Sequence, residues 1–439
     1  MKHARGKGRR RHLAAVGLVT LALLAGACGQ KTGEVKETRP EQGANVQKEP
    51  EPVTLRVFNP NNYADILWND LWVAPMKKKF PHITLVNVKN EKGSTLKELV
   101  ASGNAPDLIQ GSGAKFTFDL EQLGLLYDMA PLIQSRKFDL NRIAPLAMEG
   151  LKPYFNNNKI YGLPITMNNA SLYYNKDIFD KFGVAYPKDG ITYDEVYELA
   201  RKLTREEGGV QYRGFEFASG IQLQYNQLSL PLVKNDQAVF NTDGWKNWFD
   251  TMKRFYELEG MQNLKSNASD AFLKDRTLAM YSVTNIMSTL GTLDMNWDMV
   301  TMPTFSQAPR KGMQVFGPIL YVSSTSKHKE EAFSVIAQFL SDEVQLQRAR
   351  GGEPPVLTNT DIKQQFGADR NYLKGKNVGA FLANDIAPSP PFVSKYDVIA
   401  AQQLDAAFWE VVNKKVDINT ALRLAEETAN KKIAEEKTK

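Results

Sequence analysis

Nucleophilic and metal-binding chemistry needs thiols, imidazoles or converging carboxylates, and this chain has few of the first two. It carries one cysteine, Cys28, and four histidines, His3, His12, His82 and His328. One thiol excludes a disulfide framework and a Cys-based zinc site. Two of the histidines lie in a basic N-terminal segment, so a His-rich metal site cannot be assembled. A Ser-His triad has at most two candidate bases, His82 and His328, and both sit among Lys, Pro and Ser where surface residues are expected. No Gly-x-x-x-x-Gly-Lys, Gly-x-Gly-x-x-Gly, Gly-x-Ser-x-Gly or His-Glu-x-x-His spacing occurs. Gly111-Ser112-Gly113 alone fits any tight loop. Carboxylates are too many for a glycosidase pair to be named without geometry. No catalytic residue, cofactor or metal site is therefore assigned. Two loops stand out as possible carriers of a ligand site, at 59–63 and 111–116.

Those loops matter because of the elements that carry them. Residues 53–58 alternate as a strand, and a helical stretch perturbed at Pro75 follows to about Lys79. Strand 83–88, helix 96–102 and the short buried strand 107–110 come next. This alternation argues α/β with a parallel sheet. In such sheets the loops beyond the carboxyl ends of the strands hold ligands. Thr192 with Glu195 three residues on reads as a capping box for a helix to about Leu203. A helix over 243–257 carries Trp245, Trp248, Phe249, Phe255 and Tyr256, a stripe that reads as core. Long helices are expected at 330–340, 396–412 and 419–434. Gly317-Pro318 interrupts a strand pattern over 315–323, and Gly351-Gly352-Glu353-Pro354-Pro355 ends a helix.

The charge of the chain is an N-terminal matter. There are 55 Lys+Arg against 49 Asp+Glu, a formal net charge of +6. Lys2, Arg5, Lys7, Arg9, Arg10 and Arg11 fall within 1–27, which holds no acid. Removing these six leaves as many bases as acids from Cys28 onward, so no global footprint for a nucleic acid remains. The apolar run 13–27 is short for a membrane span but suits a signal-peptide core. It ends Leu24-Ala25-Gly26-Ala27-Cys28 and resembles a bacterial lipoprotein signal, in which Cys28 takes a diacylglycerol and becomes the mature N-terminus. Ala25 departs slightly from the usual Leu or Val. Residues 28–52 then read as a lipidated Cys and a flexible Pro/Gly/Glu/Lys-rich tether. The expected location is the outer face of the cell membrane, lipid-anchored, in a Gram-positive bacterium.

The densest pattern lies at 160–204. It contains Tyr161-Gly162-Leu163-Pro164, then Leu172-Tyr173-Tyr174-Asn175-Lys176-Asp177-Ile178-Phe179, Gly183, Pro187 and Thr192-Tyr193-Asp194-Glu195. Ala105-Pro106-Asp107-Leu108, Gly124–Asp128, 271–280 and 297–305 add further matches in order. The set resembles the family 1 extracellular solute-binding proteins of ABC importers, the maltose-binding-protein-like group; Tyr193 stands where Trp is usual. The resemblance implies a periplasmic-binding-protein-like α/β fold, with two discontinuous lobes, a three-segment hinge and a ligand cleft between. Crossings are expected after Pro164 through an extended 165–174, at Gly317-Pro318 and at Glu353-Pro354-Pro355. They divide the chain into 53–166 plus 319–353 and 169–316 plus 355–439. Such lobes close over a ligand by hinge rotation.

The resemblance also implies the function: capture of a small solute, most of all an oligosaccharide, and delivery to the transmembrane subunits of an ABC permease. Sugars ask for aromatic faces and for amide, carboxylate or hydroxyl groups. The expected cleft residues are Asn61, Asn62 and Tyr63 after the first strand, Ser112, Lys115 and Phe116 after the third, and Asn168 and Asn169 in the hinge. The second lobe offers Gln224, Tyr225, Asn285, Tyr396 and Asp397, and Glu353 sits at the third crossing. Two other readings stay open at this stage: a sensor that engages a membrane kinase, or a receptor for a non-sugar solute. A secreted polysaccharide-active enzyme is a third, and it needs a carboxylate pair or triad in the cleft.

Overall fold

Two mixed sheets, each sandwiched between helices, organise the chain in the computed structural model. It describes residues 50–438 apart from Ala64, 153–158, Asn263, Lys265 and Val315. The signal peptide, Cys28 and the tether up to residue 49 lie outside the described residues. The strands are β1 Val53–Asn59, β2 Ile83–Lys89, β3 Leu108–Gly111, β4 Gly162–Pro164, β5 Ala170–Asn175, β6 Arg205–Glu207 and β7 Val210–Phe217. They continue with β8 Val233–Lys234, β9 Gln237–Ala238, β10 Leu278–Thr284, β11 Trp297–Thr301, β12 Lys311–Gln314, β13 Ile319–Val322 and β14 Asp385–Ala387.

The first sheet has the order β2-β1-β3-β13-β4, with β2, β1 and β3 parallel and β13 antiparallel to both its neighbours. Its β1 is buried on both faces, as a helix-covered parallel strand must be. Leu55 and Val57 join Trp72, Met76, Leu108 and Phe339 in one cluster, while Phe58 turns to Val88, Ile109 and Tyr321 on the other face. The helical stretch after β1 runs from Asp65 to Lys79, with a π-helical segment at Asn69–Val73. Pro75 explains it: the ring cannot donate and crowds the preceding turn, and Ala74 N–H reaches back to Asn69 O instead.

The second sheet has the order β11-β5-β10-β7-β6. Helix Tyr193–Leu203 starts on the expected Thr192/Glu195 capping box and lies on β7. The closeness of that packing is set by Gly214, where a Cβ would come within 2.4 Å of the Ala200 backbone. The aromatic stripe is core, as its spacing suggested. Trp245, Trp248, Phe249, Phe255 and Tyr256 are all buried against Phe215, Phe217 and Phe408. Its helix stops at Lys253 and finishes as a 3₁₀ turn, Arg254–Glu257.

β13 follows every strand of the second sheet in sequence yet lies in the middle of the first, so the lobes are discontinuous. Three passages connect them. The expected extended run 165–174 is a strand only from Ala170; residues 165–169 carry no ladder partner and bond to the second passage and to the Pro354 turn. Ile165 N donates to Pro318 O at 3.1 Å, Asn168 N to Phe316 O at 2.8 Å and Met167 N to Pro354 O at 3.4 Å. The third passage falls later than its Pro-Pro signal. Val356, Leu357 and Ile362 pack in the first lobe's core, and Ala144 N bonds Val356 O at 2.8 Å. Only from Phe366 onward do side chains enter the second lobe's clusters. Residues 355–362 therefore belong with the first lobe, because their apolar side chains fill its core.

Two substitutions test this packing. Gly214→Ala forces the Tyr193–Leu203 helix off β7 and should lower stability by about 1–3 kcal/mol, read from urea unfolding. Gln345 is fully buried. It donates to Ile165 O at 2.8 Å and Phe339 O at 2.9 Å and accepts Val356 N–H at 2.9 Å. Gln345→Leu should cost more than about 2 kcal/mol, since buried backbone groups lose their partners. A loss under half of that would show the passages hold without it.

Candidate functional site

The first lobe meets the second where β3 ends. Ser112 precedes helix Gly113–Gln122 and spends its side chain on no cap. Gly113 has a φ of +75°, and a Cβ there would stand 3.1 Å from the hydroxyl of Tyr225. The Tyr225 hydroxyl thus lies directly over the start of this helix. Tyr225 follows helix Ser219–Gln224 and stacks on Phe316, with ring centroids 4.6 Å apart and planes 18° from parallel.

A pocket opens at this junction. Its polar lining is Ser112 and Lys115 from one lobe and Gln224, Tyr225, Gln314 and Asp397 from the other; Leu230, Leu232, Pro390 and Val393 supply apolar wall. Sequence reasoning named Ser112, Lys115, Gln224, Tyr225 and Asp397, and the fold brings these five together. It missed Gln314 and the wall at Ser389, Pro390 and Val393. The Pro388-Ser389-Pro390-Pro391 run was the available signal for that wall.

Electrostatics in the pocket centre on Asp397. It is the first residue of helix Asp397–Val412, and its Oδ2 accepts the Ser394 N–H at 2.9 Å. Burial pushes its carboxyl up to about 7, against the opposing pull of that hydrogen bond. Burial also pushes the Tyr225 hydroxyl up to about 12, with the Asp397 charge adding to it. Lys115 is held by Asp119, at 2.9 and 2.7 Å.

The other expected residues stand elsewhere. Asn61, Asn62 and Tyr63 form their own cluster beyond β1. Asn61 donates to the Tyr63 hydroxyl at 3.2 Å, and Asn62, at φ +49°, clamps the Asn90 backbone. Gln110 ties Tyr63 to β3 at 3.3 Å. Phe116 is half-buried with its ring over Gly111, where no Cβ would fit. Asn168 and Asn169 line a different pocket, with Met167, Pro354, Pro355 and Phe381. Asn169 is spent internally: it donates to Phe381 O at 3.2 Å and accepts Ala170 N–H at 2.9 Å. Asn285 bridges the lobes, donating to Gly352 O at 3.1 Å. Glu353 pairs with Arg348. Tyr396 is 4% exposed and packs in the second lobe's core, so its ring serves that core and not the pocket. Its neighbour Asp397 faces the pocket because adjacent positions on a helix point about 100° apart.

The arrangement offers no nucleophile–base pair. Among the described residues no group of three or more His, Cys, Asp or Glu side chains could hold a metal ion. Among them, too, no helix is long and apolar enough to cross a membrane. The pocket thus combines an aromatic ring, two amides, a carboxylate and a lysine drawn from both lobes.

Known proteins share this architecture. A "Multiple sugar-binding protein" of Streptococcus mutans is 26% identical over 290 residues, 65% of this chain. A "Melibiose/raffinose/stachyose-binding protein" of Bacillus subtilis is 26% identical over 167 residues, 36% of this chain. The matches span 58% and 34% of those two relatives' lengths. An ABC substrate-binding protein from Listeria monocytogenes, solved in complex with cycloalternan, superposes with a TM-score of 0.68. It is 20% identical, and the match covers 88% of this chain and 100% of that one. The fold is thus that of periplasmic-binding-protein-like receptors. Residues 72–372, more than half of the sequence, match the family described as bacterial extracellular solute-binding protein, and the chain belongs to that family.

Proposed function

We propose that this chain is a lipid-anchored receptor on the outer face of the membrane, one that captures an oligosaccharide and hands it to an ABC permease. The observation that carries the reading is the pocket shared by the two lobes. The Tyr225 ring, backed by Phe316, offers an apolar sugar face a platform, and Ser112, Lys115, Gln224, Gln314 and Asp397 offer partners for hydroxyls. The names of the curated relatives support a sugar over other solutes. The free space within the pocket is about 70 Å³. Small-molecule sites start at roughly 300 Å³, so the lobes must part to admit an oligosaccharide. The three side-by-side passages are the place for that hinge. We place the first lobe at 53–166 plus 319–362 and the second at 169–316 plus 366–438. Cys28 is the anchoring residue, and the tether gives the receptor reach.

Titration calorimetry of the mature protein against raffinose, stachyose and maltotetraose should give a Kd of about micromolar or tighter for one of them. Tyr225→Ala should weaken that binding roughly tenfold to hundredfold, through loss of the stacked ring. Unchanged affinity in the variant would move the site away from this pocket. Cys28→Ala should release the protein from the detergent phase and the cell surface into the medium; continued membrane partitioning would sink the anchor.

A further inference from the structure

The polar side chains around the cleft pocket are nearly all engaged within the protein. Lys115 is held by Asp119, Gln224 donates to the Tyr225 hydroxyl at 3.4 Å, and Gln314 donates to Asn226 O at 2.9 Å. Among the charged side chains there, Asp397 differs. Its Oδ2 is bonded to Ser394 N–H, but its Oδ1 is buried and meets no donor. An unpartnered carboxylate oxygen in a desolvated wall is costly, and the stabilisation returns when a donor arrives.

Among the described residues no cation supplies that donor. Lys115, on the helix facing from the first lobe, is committed to Asp119. Lys395 lies over the Tyr396 ring, and Lys437, from the C-terminal helix, pairs with Asp236 at 3.0 Å. Helix Ser219–Gln224 presents Tyr225, whose hydroxyl already receives the Gln224 amide. On the remaining side, helix Asp243–Lys253 brings Trp248 and Phe249 against Phe408, three turns along. Asp405, on the same helix, is bonded to Ser219 and Trp409 and also leaves a buried Oδ1 without a partner, but unlike Asp397 it does not line the pocket.

We infer that Asp397 is the acceptor for a hydroxyl of the bound carbohydrate, received on Oδ1 by the ionised carboxylate, so that capture expels a proton and weakens on acidification. The inference rests on the carbohydrate reading above and adds the recognising atom and its dependence on protons. A solute hydroxyl donating to the carboxylate favours the charged form, and such charge-assisted bonds are about twice as strong as neutral ones. The sign follows. Burial has raised the free carboxyl to about 7, so below that value it is mostly protonated, and the solute must displace the proton to gain the strong bond. Above it the carboxylate is ready. Bound solute lowers the pKa, and affinity rises with pH across the window between the bound and free values.

The test is calorimetry of raffinose, stachyose and maltotetraose with the mature protein at pH 6 and pH 8. Each titration is run in two buffers of different ionisation enthalpy to count protons. Affinity for the bound sugar should fall about tenfold from pH 8 to pH 6. Proton release at pH 6 should approach one per sugar. Asp397→Asn should bind more weakly at pH 8 and lose the pH slope. Binding with neither slope nor proton release in the native protein overturns the role of Asp397 and leaves the carbohydrate reading standing. A slope that survives in Asp397→Asn does the same. No heat with any sugar at either pH removes the carbohydrate reading, and this proposal with it. The native-protein proton count does not depend on the variant folding.

Discussion

Two extended segments, 165–169 and 316–318, run between the sheets beside the Pro354 turn, and their backbone groups must find partners where no ladder exists. Buried amides and carbonyls left unpaired cost about as much as a domain can spare. The solution is local: the passages bond to one another, and Gln345 reaches from its helix to Ile165 O and Val356 N–H at once. Gly317 allows the closeness, since a Cβ there would lie 2.7 Å from Thr166 O. Everything else depends on this junction. It lets β13 return to the first sheet after the whole second sheet has formed, and it places the two lobes' loops opposite one another.

The pocket follows from that geometry. Ser112 and Lys115 stand beyond β3 of one sheet, and Gln224 and Tyr225 stand at the end of the helix after β7 of the other. Each group sits near the carboxyl end of a strand, where backbone direction and helix starts leave room for ligands. The Tyr225 hydroxyl against Gly113 shows how near the lobes stand, and a side chain at Gly113 would press on it. The buried ion pair of Arg213 and Glu216, at 2.6 Å, plays a different part. It anchors β7 to the Ser266 segment, deep in the second lobe, with burial raising the Glu216 carboxyl. Its partners are all structural, so a raised carboxyl alone does not mark a ligand site.

Local pattern carried far in some places and stopped short in others. The first three strands, the Thr192 capping box and the aromatic helix were legible because alternation, caps and 3.6-residue spacing are local signals. The hairpin β6–β7 also had a local sign, Gly208-Gly209, both at positive φ. The Pro354-Pro355 signal marked a bend but misplaced the third passage by several residues. Proline reports where a helix ends, whereas the lobe to which Val356 and Ile362 belong is decided by which core their side chains fill. Tyr396 and Asp397 were equivalent candidates in the sequence, and only the rotation of their helix separates them. Gln314 and Phe316 gave no signal by themselves, since amide and aromatic residues at strand ends are common.

By itself the sequence determined the alternating α/β elements, the scarcity of catalytic and metal-binding groups, the family pattern at 160–204 and the expected address at Cys28. These rest on composition and on neighbours within a few residues, where chain chemistry is strongest. Tertiary structure decided which loops face each other, which polar groups are spent inside the protein and which oxygen is left without a partner. Those outcomes depend on contacts between residues as far apart as Gly113, Tyr225 and Asp397. Burial is a property of the packed molecule, so the carboxyl of Asp397 acquires its shifted proton affinity only in the folded protein.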